Sequence, residues 1–468
     1  MPRISVVVPT YNQATYLVEA IESVLNQSFT DFELIVINDA STDHTDEVMQ
    51  GFADERIKYI VNPQNRYAAA TRNIGIRAAS TALIAFLDSD DVFHPDKLKF
   101  HIAFLDSHPE IGSSYNSRYH WNHSAKTIRE LVRPPLTVSL DDFVLGFPFT
   151  TSDMVVRREW LLNVGLFEED YTWSEELDLN CKLALAGCSF ASVDRALNYR
   201  RYFSEKVFGH IDDKCANATR AIEKALADPR CPDQTKDLRV PALTNNYLCW
   251  IANALIQNET PLAQQLIRSA LQLNPSLIEG IPSELVHSMV RFAIYDESLD
   301  HELLLRKMFD QLPQACKTVS SQYHWAIGRG HLEKGTRAII WDRPKDGQAY
   351  FTRAIELGAQ VDDGFLNKLA YKLLSYELEF GSAATQHILE SLSTYLGKLG
   401  YRAQVGQLQG RYYADQAFKN YNQGHFNQVP RNVFRAITSD TTYLKNRGLW
   451  VILSRSFLHY PQRPQQLF

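Results

Sequence analysis

The chain opens with short apolar runs alternating with amphipathic segments. Ile4 to Val8 is almost wholly apolar and β-branched, which predicts a strand buried on both faces and stopped by Pro9. Leu17, Ala20, Ile21, Val24 and Leu25 then fall at helical spacing and mark one face of an amphipathic helix. Phe32 to Ile37 reads as a second strand, and the polar stretch Asn38 to Asp43 leads into a helix from about Thr45. The pattern repeats with a strand at Ile57 to Val61, a helix at Ala68 to Ala79 and a strand at Leu83 to Leu87. Pro95 suits the first turn of a further helix that carries Leu98, Ile102 and Leu105. Strands alternating with helices predict an α/β domain with a mostly parallel sheet.

The continuation is less regular, with strands expected at Met154 to Val156 and Ser189 to Val193 and a helix at Glu175 to Ala186 closed by Gly187. Beyond about Cys215 only helical patterns remain, and Pro229, Pro232 and Pro241 supply breaks. We therefore expect an α/β domain over 1–215 and an all-α domain over 216–468. Within the latter, Ala263, Ile267, Ala270 and Pro275 have the spacing of the second helix and closing proline of a tetratricopeptide unit. Phe351 with Ala354, and Gly424, Phe426, Val433 and Ala436, echo it. A repeat-like solenoid and an ordinary helical bundle are both compatible with this partial match.

Composition narrows the function classes. At 468 residues the chain is long enough for more than one core, and 45% hydrophobic with 22% charged residues is the balance of a globular protein. A net charge of -6 provides no basic field for nucleic acid. The six cysteines form no CxxC pair, so neither a zinc site nor a disulfide framework is indicated and a reducing cytoplasm fits best. No signal peptide and no apolar run of membrane-spanning length is visible, so any membrane contact is expected to be peripheral.

The chemistry concentrates at strand ends. Asp88, Ser89, Asp90 and Asp91 directly follow an apolar strand, where open α/β sheets place their ligands. Three carboxylates in four residues repel one another, and a hard divalent cation offsets that repulsion while also binding phosphate oxygens. The bland reading is an acidic turn that caps the next helix. Two other strand ends favour a site: Pro9, Thr10, Tyr11 and Asn12 follow the first strand, and Asn38 to Asp43 follow the second. Asp39 could accept a hydrogen bond from a base N–H, Tyr11 could stack on that base, and the planar fork of Arg72 could meet a diphosphate. Singly, each has a structural alternative: Asn12 and Ser41 as helix caps, Tyr11 as packing, Arg72 as a surface charge.

Together these strings resemble family-2 glycosyltransferases of the GT-A fold over roughly the first 210 residues. The matching stretches are PTYN, the ND-A-S-TD segment, Ala70 to Gly75 against the family's A-R-N-x-G, the DSDD turn, and Val164, Gly165, Leu166, Phe167 against V-G-G-F. The resemblance implies inverting transfer from a nucleoside diphosphate sugar, a UDP-sugar foremost, to a saccharide or glycoconjugate hydroxyl in polysaccharide or glycoconjugate synthesis, with Mn2+ or Mg2+. By it Asp39 would contact the base, Arg72 the diphosphate, and Asp88, Asp90 and Asp91 the ribose and metal. The family's E-D-x-D segment reads Glu175, Glu176, Leu177, Asp178 here, which makes Glu176 the base in place of aspartate and Glu175 a second candidate. Tyr202 stands where the family often has a histidine, and His210 lies downstream at a spacing that does not match.

Ser174 with two glutamates in the first turn is also favourable helix-end chemistry by itself. Tyr202 and Glu176 keep a second function class in view, a degenerate transferase domain serving as a scaffold. A nucleotidyltransferase would carry a glycine-rich loop after its first strand, and Pro9 to Gln13 has no glycine. For the helical domain, protein binding or self-association is the expectation that a concave solenoid surface suggests.

Overall fold

The computed structural model describes residues 2–122, 127–202, 211–295 and 299–458, without the side chain of Tyr202. Tyr202's expected role and His210 therefore lie outside what is described. The chain forms two compact units, Met1–Tyr323 and His324–Phe468.

The first unit begins as the sequence predicts. Strand β1 (Ile4–Thr10), helix α1 (Ala14–Leu25), β2 (Phe32–Asn38), α2 (Thr45–Gln50), β3 (Ile57–Val61), α3 (Tyr67–Ala78) and β4 (Leu83–Phe86) alternate. There follow β5 (Val92–Phe93), α4 (Lys97–Ser107), β6 (Ser113–Asn122), β7 (Thr127–Val132), β8 (Thr137–Val138), α5 (Leu140–Leu145), β9 (Met154–Arg157), α6 (Arg158–Asn163), α7 (Glu175–Leu185) and β10 (Phe190–Tyr202). The sheet runs β3-β2-β1-β4-β9-β6-β10-β5, with β7 on β6 and β8 on β10. The β3-β2-β1-β4 half is parallel, whereas β9 is antiparallel to both β4 and β6, so the sheet is mixed.

Alternate residues of β1 serve two cores, as a central strand buried on both faces must. Ile4, Val6 and Val8 join the cluster with Leu17, Ile21 and Leu98, while Val7 joins Ile35, Ile37 and Ile76 on the other face. A Cβ on Gly75 would overlap the Val7 side chain, so α3 can lie this close to β1 only with glycine there. Pro9 does not stop β1: the strand continues to Thr10 beside Asn38. Beyond Val7, β4 has left the ladder and only β2 accompanies the strand, a situation that tolerates a proline.

Two strands depart from expectation in kind. β6 reads SSYNSRYHWN and is almost entirely buried, so it carries no apolar alternation to reveal it. β10 extends well past Val193, and its second half pairs with β6 through Arg200 opposite His120 and Arg201 opposite Trp121.

The helical elements α8 (Ile211–Ala227), α9 (Asp233–Lys236), α10 (Arg239–Ile256), α11 (Thr260–Leu273), α12 (Glu284–Ala293) and α13 (His301–Asp310) belong to the first unit. Ala218, Ala221, Ile222, Ala225 and Leu226 of α8 share one buried cluster with Ile76, Phe167, Leu179 and Leu183. Residue 216 thus lies inside a compact unit. Pro241 sits in the first turn of α10, where a missing N–H is harmless, and so does not break the chain.

The second unit is wholly helical among its described residues: α14 (Tyr323–Ile340), α15 (Pro344–Glu356), α16 (Asp363–Phe380), α17 (Ser382–Lys398), α18 (Arg402–Asn422), α19 (Val429–Ser439) and α20 (Arg447–Leu458). Its core gathers Phe351, Leu366, Leu389, Leu408 and Val433. Among the described residues no helix is long and apolar enough to cross a membrane.

Candidate active site

Parallel strands β1, β2 and β4 all end at the same edge, so the loops that follow them must meet. The first two loops are stitched by their polar side chains. Ser41 Oγ accepts from the Asn12 backbone N–H at 3.0 Å, and Asn12 Oδ1 accepts from the Thr42 N–H at 2.7 Å. Asp43 accepts from the Ala14 N–H at 3.0 Å and satisfies the N-terminus of α1 from the neighbouring loop. Asn12 and Ser41 are therefore loop clamps and not caps of their own helices. Backbone strain gathers here too, with Asn12, Ala40, Tyr67 and Ser174 all at positive φ between 52° and 63°.

A cavity of about 730 Å³ opens over this edge. Of the residues singled out from sequence, Pro9, Thr10, Tyr11, Asp39, Arg72, Asp88, Ser89, Asp90, Asp91, Glu175 and Glu176 line it, whereas Asn12 and Ser41 do not. Asp39 is 3% exposed and accepts from Asn62 Nδ2 at 2.7 Å and from the Arg66 N–H at 3.0 Å. Thr10 and Thr71 hold buried hydroxyls with no partner at the cavity wall.

Arg72 is no surface charge. It is 4% exposed, and its two terminal nitrogens reach Asp88 at 2.8 Å and Glu175 at 2.5 Å. Burial disfavours its charge, but Asp88 and Glu175 outweigh that and raise its pKa further. The neighbouring residues of α3 explain the rest of the Ala70 to Gly75 match. Asn73 donates to the Phe167 carbonyl at 2.9 Å and accepts from the Phe167 N–H at 3.0 Å, which ties α3 to the Val164 to Phe167 segment.

The four residues of the acidic turn face different ways. Asp91 is 3% exposed and turned inward, accepting from the Arg201 N–H at 3.1 Å. Burial first, then Asp90 and Asp88, push its carboxyl well above the usual range. The Arg201 side chain binds the Asp90 carbonyl at 2.8 Å and Glu19 at 2.5 Å, which fixes the turn from behind. Asp88 and Asp90 remain half-buried at the cavity surface.

Helix α7 brings the remaining carboxylates. Ser174 occupies its N-cap position with φ 62° and makes no side-chain cap, so the helix-end reading of this segment loses its hydroxyl. Glu175 turns inward to Arg72. Glu176 is half-buried, and its Oε2 accepts from the Thr151 N–H at 3.1 Å. Burial is the largest influence on Glu176; with Glu175 and Asp88 beside it, and Arg72 and Arg200 opposing, its pKa is pushed up to about 7. Asp178 faces away, bound by Lys224 of α8 at 2.8 Å.

Several contributors had no legible signal. Ser152 accepts from the Asp88 N–H at 3.0 Å, and its neighbour Thr151 holds Glu176, so the short turn Thr151–Asp153 joins the acidic turn to α7. The Thr-x-x-Asp capping box at Thr150 was the one cue available. Arg200 lines the cavity with its charge favoured by Asp91 and Glu176. Further lining comes from Asn253, Ile256 and Gln257 of α10, Phe292 of α12, Leu304 of α13, and Tyr295 and Leu299, which belong to neither helix. Among the described residues no group of three or more His, Cys, Asp or Glu forms a ready metal cage.

Residues 5–165 match the family model described as Glycosyl transferase family 2. An uncharacterized glycosyltransferase of Rickettsia conorii is 40% identical over 197 residues, covering 42% of this chain and 32% of that protein. An Escherichia coli UDP-Glc:alpha-D-GlcNAc-diphosphoundecaprenol beta-1,3-glucosyltransferase, WfgD, is 38% identical over 102 residues, covering 22% of this chain and 40% of that protein. The chain spans about a third of the Rickettsia relative's length. Among solved structures, S. aureus TarS 1-349 in complex with UDP-GlcNAc has a TM-score of 0.49 and 19% identity, covering 69% of this chain and 91% of that chain. The likeness to glycosyl transferase family 2 thus lies in the N-terminal α/β part of the chain, over residues 5–165.

Proposed function

We propose that the chain is an inverting, metal-assisted glycosyltransferase that moves a sugar from a nucleoside diphosphate sugar to an acceptor hydroxyl in polysaccharide or glycoconjugate synthesis. The observation that carries this reading is Glu176, whose carboxyl is pushed up to about 7 in the same cavity as the acidic turn. A general base works best with a pKa near the operating pH. Its Oε2 is held by Thr151, which leaves Oε1 to take the proton from the acceptor hydroxyl as that oxygen attacks the anomeric carbon.

Asp39 and Tyr11 would receive the base, with the hydroxyls of Thr10 and Ser89 nearby for the ribose. Asp90, with Asp88, would hold Mn2+ or Mg2+. Two half-buried carboxylates fit an ion that takes its remaining ligands from substrate phosphates and water. Such an ion supplies charge stabilisation to the departing diphosphate. Asp91 enters this proposal as the inward brace of the turn. Arg72, expected from sequence to meet the diphosphate, is assigned the task of pairing with Asp88 and Glu175 and orienting them, and Arg200 is the cation we assign to the phosphates.

The printed names of two relatives support the substrate class. One transfers from UDP-Glc to a lipid-diphosphate-linked sugar, and a Bacillus subtilis relative is assigned to teichuronic acid biosynthesis. The scaffold reading rested on Tyr202 and Glu176; the Tyr202 side chain lies outside the described residues, and the position of the Glu176 side chain favours catalysis. Six free cysteines agree with a cytoplasmic protein, peripheral to the membrane where its acceptor is lipid-borne. We place the catalytic unit at 1–323 and assign 324–468, with its tetratricopeptide-like spacing, to protein binding. Transfer from a panel of labelled UDP-sugars tests the reading: Glu176→Gln should abolish turnover while leaving nucleotide binding intact, and unchanged turnover would refute it.

A further inference from the structure

The cavity has two unlike walls. The strand-end wall carries nearly all the charge, whereas the helical wall is built by α10, α12, α13 and by Tyr295 and Leu299, all outside the residues that match the family. Ile256, Phe292, Tyr295, Leu299 and Leu304 give it an apolar surface, and none of them is fully buried. Asn253 and Gln257, one helical turn apart on α10, add two amides. Asn253 uses its Nδ2 on the Cys249 carbonyl at 2.8 Å, which leaves its Oδ1 for a ligand.

This wall stands beside the proposed base. Arg200 has both Glu176 and Tyr295 among its electrostatic neighbours, and the His120 ring lies 6.0 Å from that of Tyr295. Tyr295 is held by Arg129, 4.0 Å over its ring. A nucleoside diphosphate is accounted for by the polar wall and has no use for five apolar side chains. Water against those side chains is unfavourable, and an apolar ligand group would displace it.

We infer that the helical wall is the acceptor subsite and selects acceptors bearing an apolar group next to the accepting hydroxyl, a hydrophobic glycoside. The inference rests on the transferase reading for its orientation toward Glu176. The two amides hydrogen-bond sugar hydroxyls, and Ile256, Phe292 and Leu299 cover the aglycone. Acceptor choice is then set by helices that lie outside the family domain, so chains sharing the DSDD turn can differ in what they glycosylate.

The test is titration of the full chain, saturated with UDP and Mn2+, with octyl β-glucoside below its micelle concentration and with methyl β-glucoside. Octyl glucoside should bind at least about 10-fold more tightly than methyl glucoside. Phe292→Ala and the exposed-site variant Leu299→Ser should each bring that ratio down by several-fold, and Leu299, at 37% exposure, is not a core side chain. Equal affinities in the unaltered protein, or a ratio retained in both variants, would overturn the inference. A missing UDP signal with octyl glucoside still bound would instead count against the transferase reading alone.

Discussion

The two walls of the cavity differ in how they are made. The strand-end wall is fixed by topology: three parallel strands finish at one edge, and short loops deliver Tyr11, Asp39 and Asp88 to Asp91 with little freedom. Its charges are mutually satisfied before any ligand arrives, as Arg72 between Asp88 and Glu175 shows. Among the described residues, the helical wall is lined by apolar and amide side chains. One wall is preorganised for a fixed chemistry, and the other offers a surface that can change without disturbing it.

The largest test of that contrast is Glu176→Gln, expected to lower kcat on the order of 10³-fold in a steady-state transfer assay. The pH profile sharpens the assignment. Glu176 must be ionised to accept a proton, so kcat/KM should fall about tenfold per unit below pH about 7 and level off above it. An acidic limb centred well below that would count against Glu176 as the base.

Arg72→Met addresses the preorganisation itself. Removing the guanidinium strands Glu175, which is 7% exposed, and unfolding should be easier by about 3 kcal/mol in denaturant titration. A variant as stable as the parent would mean the network is not what holds the polar wall together. Gly75→Ala is milder, because the added methyl meets the Val7 side chain, and should cost roughly 1–3 kcal/mol with kcat reduced less than stability.

How much of this was legible follows the same division. β1, β2 and β4 and their loops could be read because strands buried on both faces are nearly continuous apolar runs, and because Asp88 to Asp91 stands beside two other polar strand-end loops. β6 could not, since its buried residues include Ser113, Ser114, Asn116, Ser117, Arg118 and His120, some of them held by internal contacts such as the ion pair of Arg118 with Asp153. The inward turn of Asp91 and the occupation of Arg72 by carboxylates depend on contacts distant in sequence. Ile256, Phe292 and Leu299 carried no separate signal, because a cavity wall and a core contact have the same composition.

The most direct test of the central proposal is calorimetric titration of UDP into the full chain and into Asp90→Ala, each with and without Mn2+. Heat of binding that requires Mn2+ in the unaltered protein and is lost in Asp90→Ala is the expected result. Binding of equal strength without the metal, or untouched by the substitution, would contradict it.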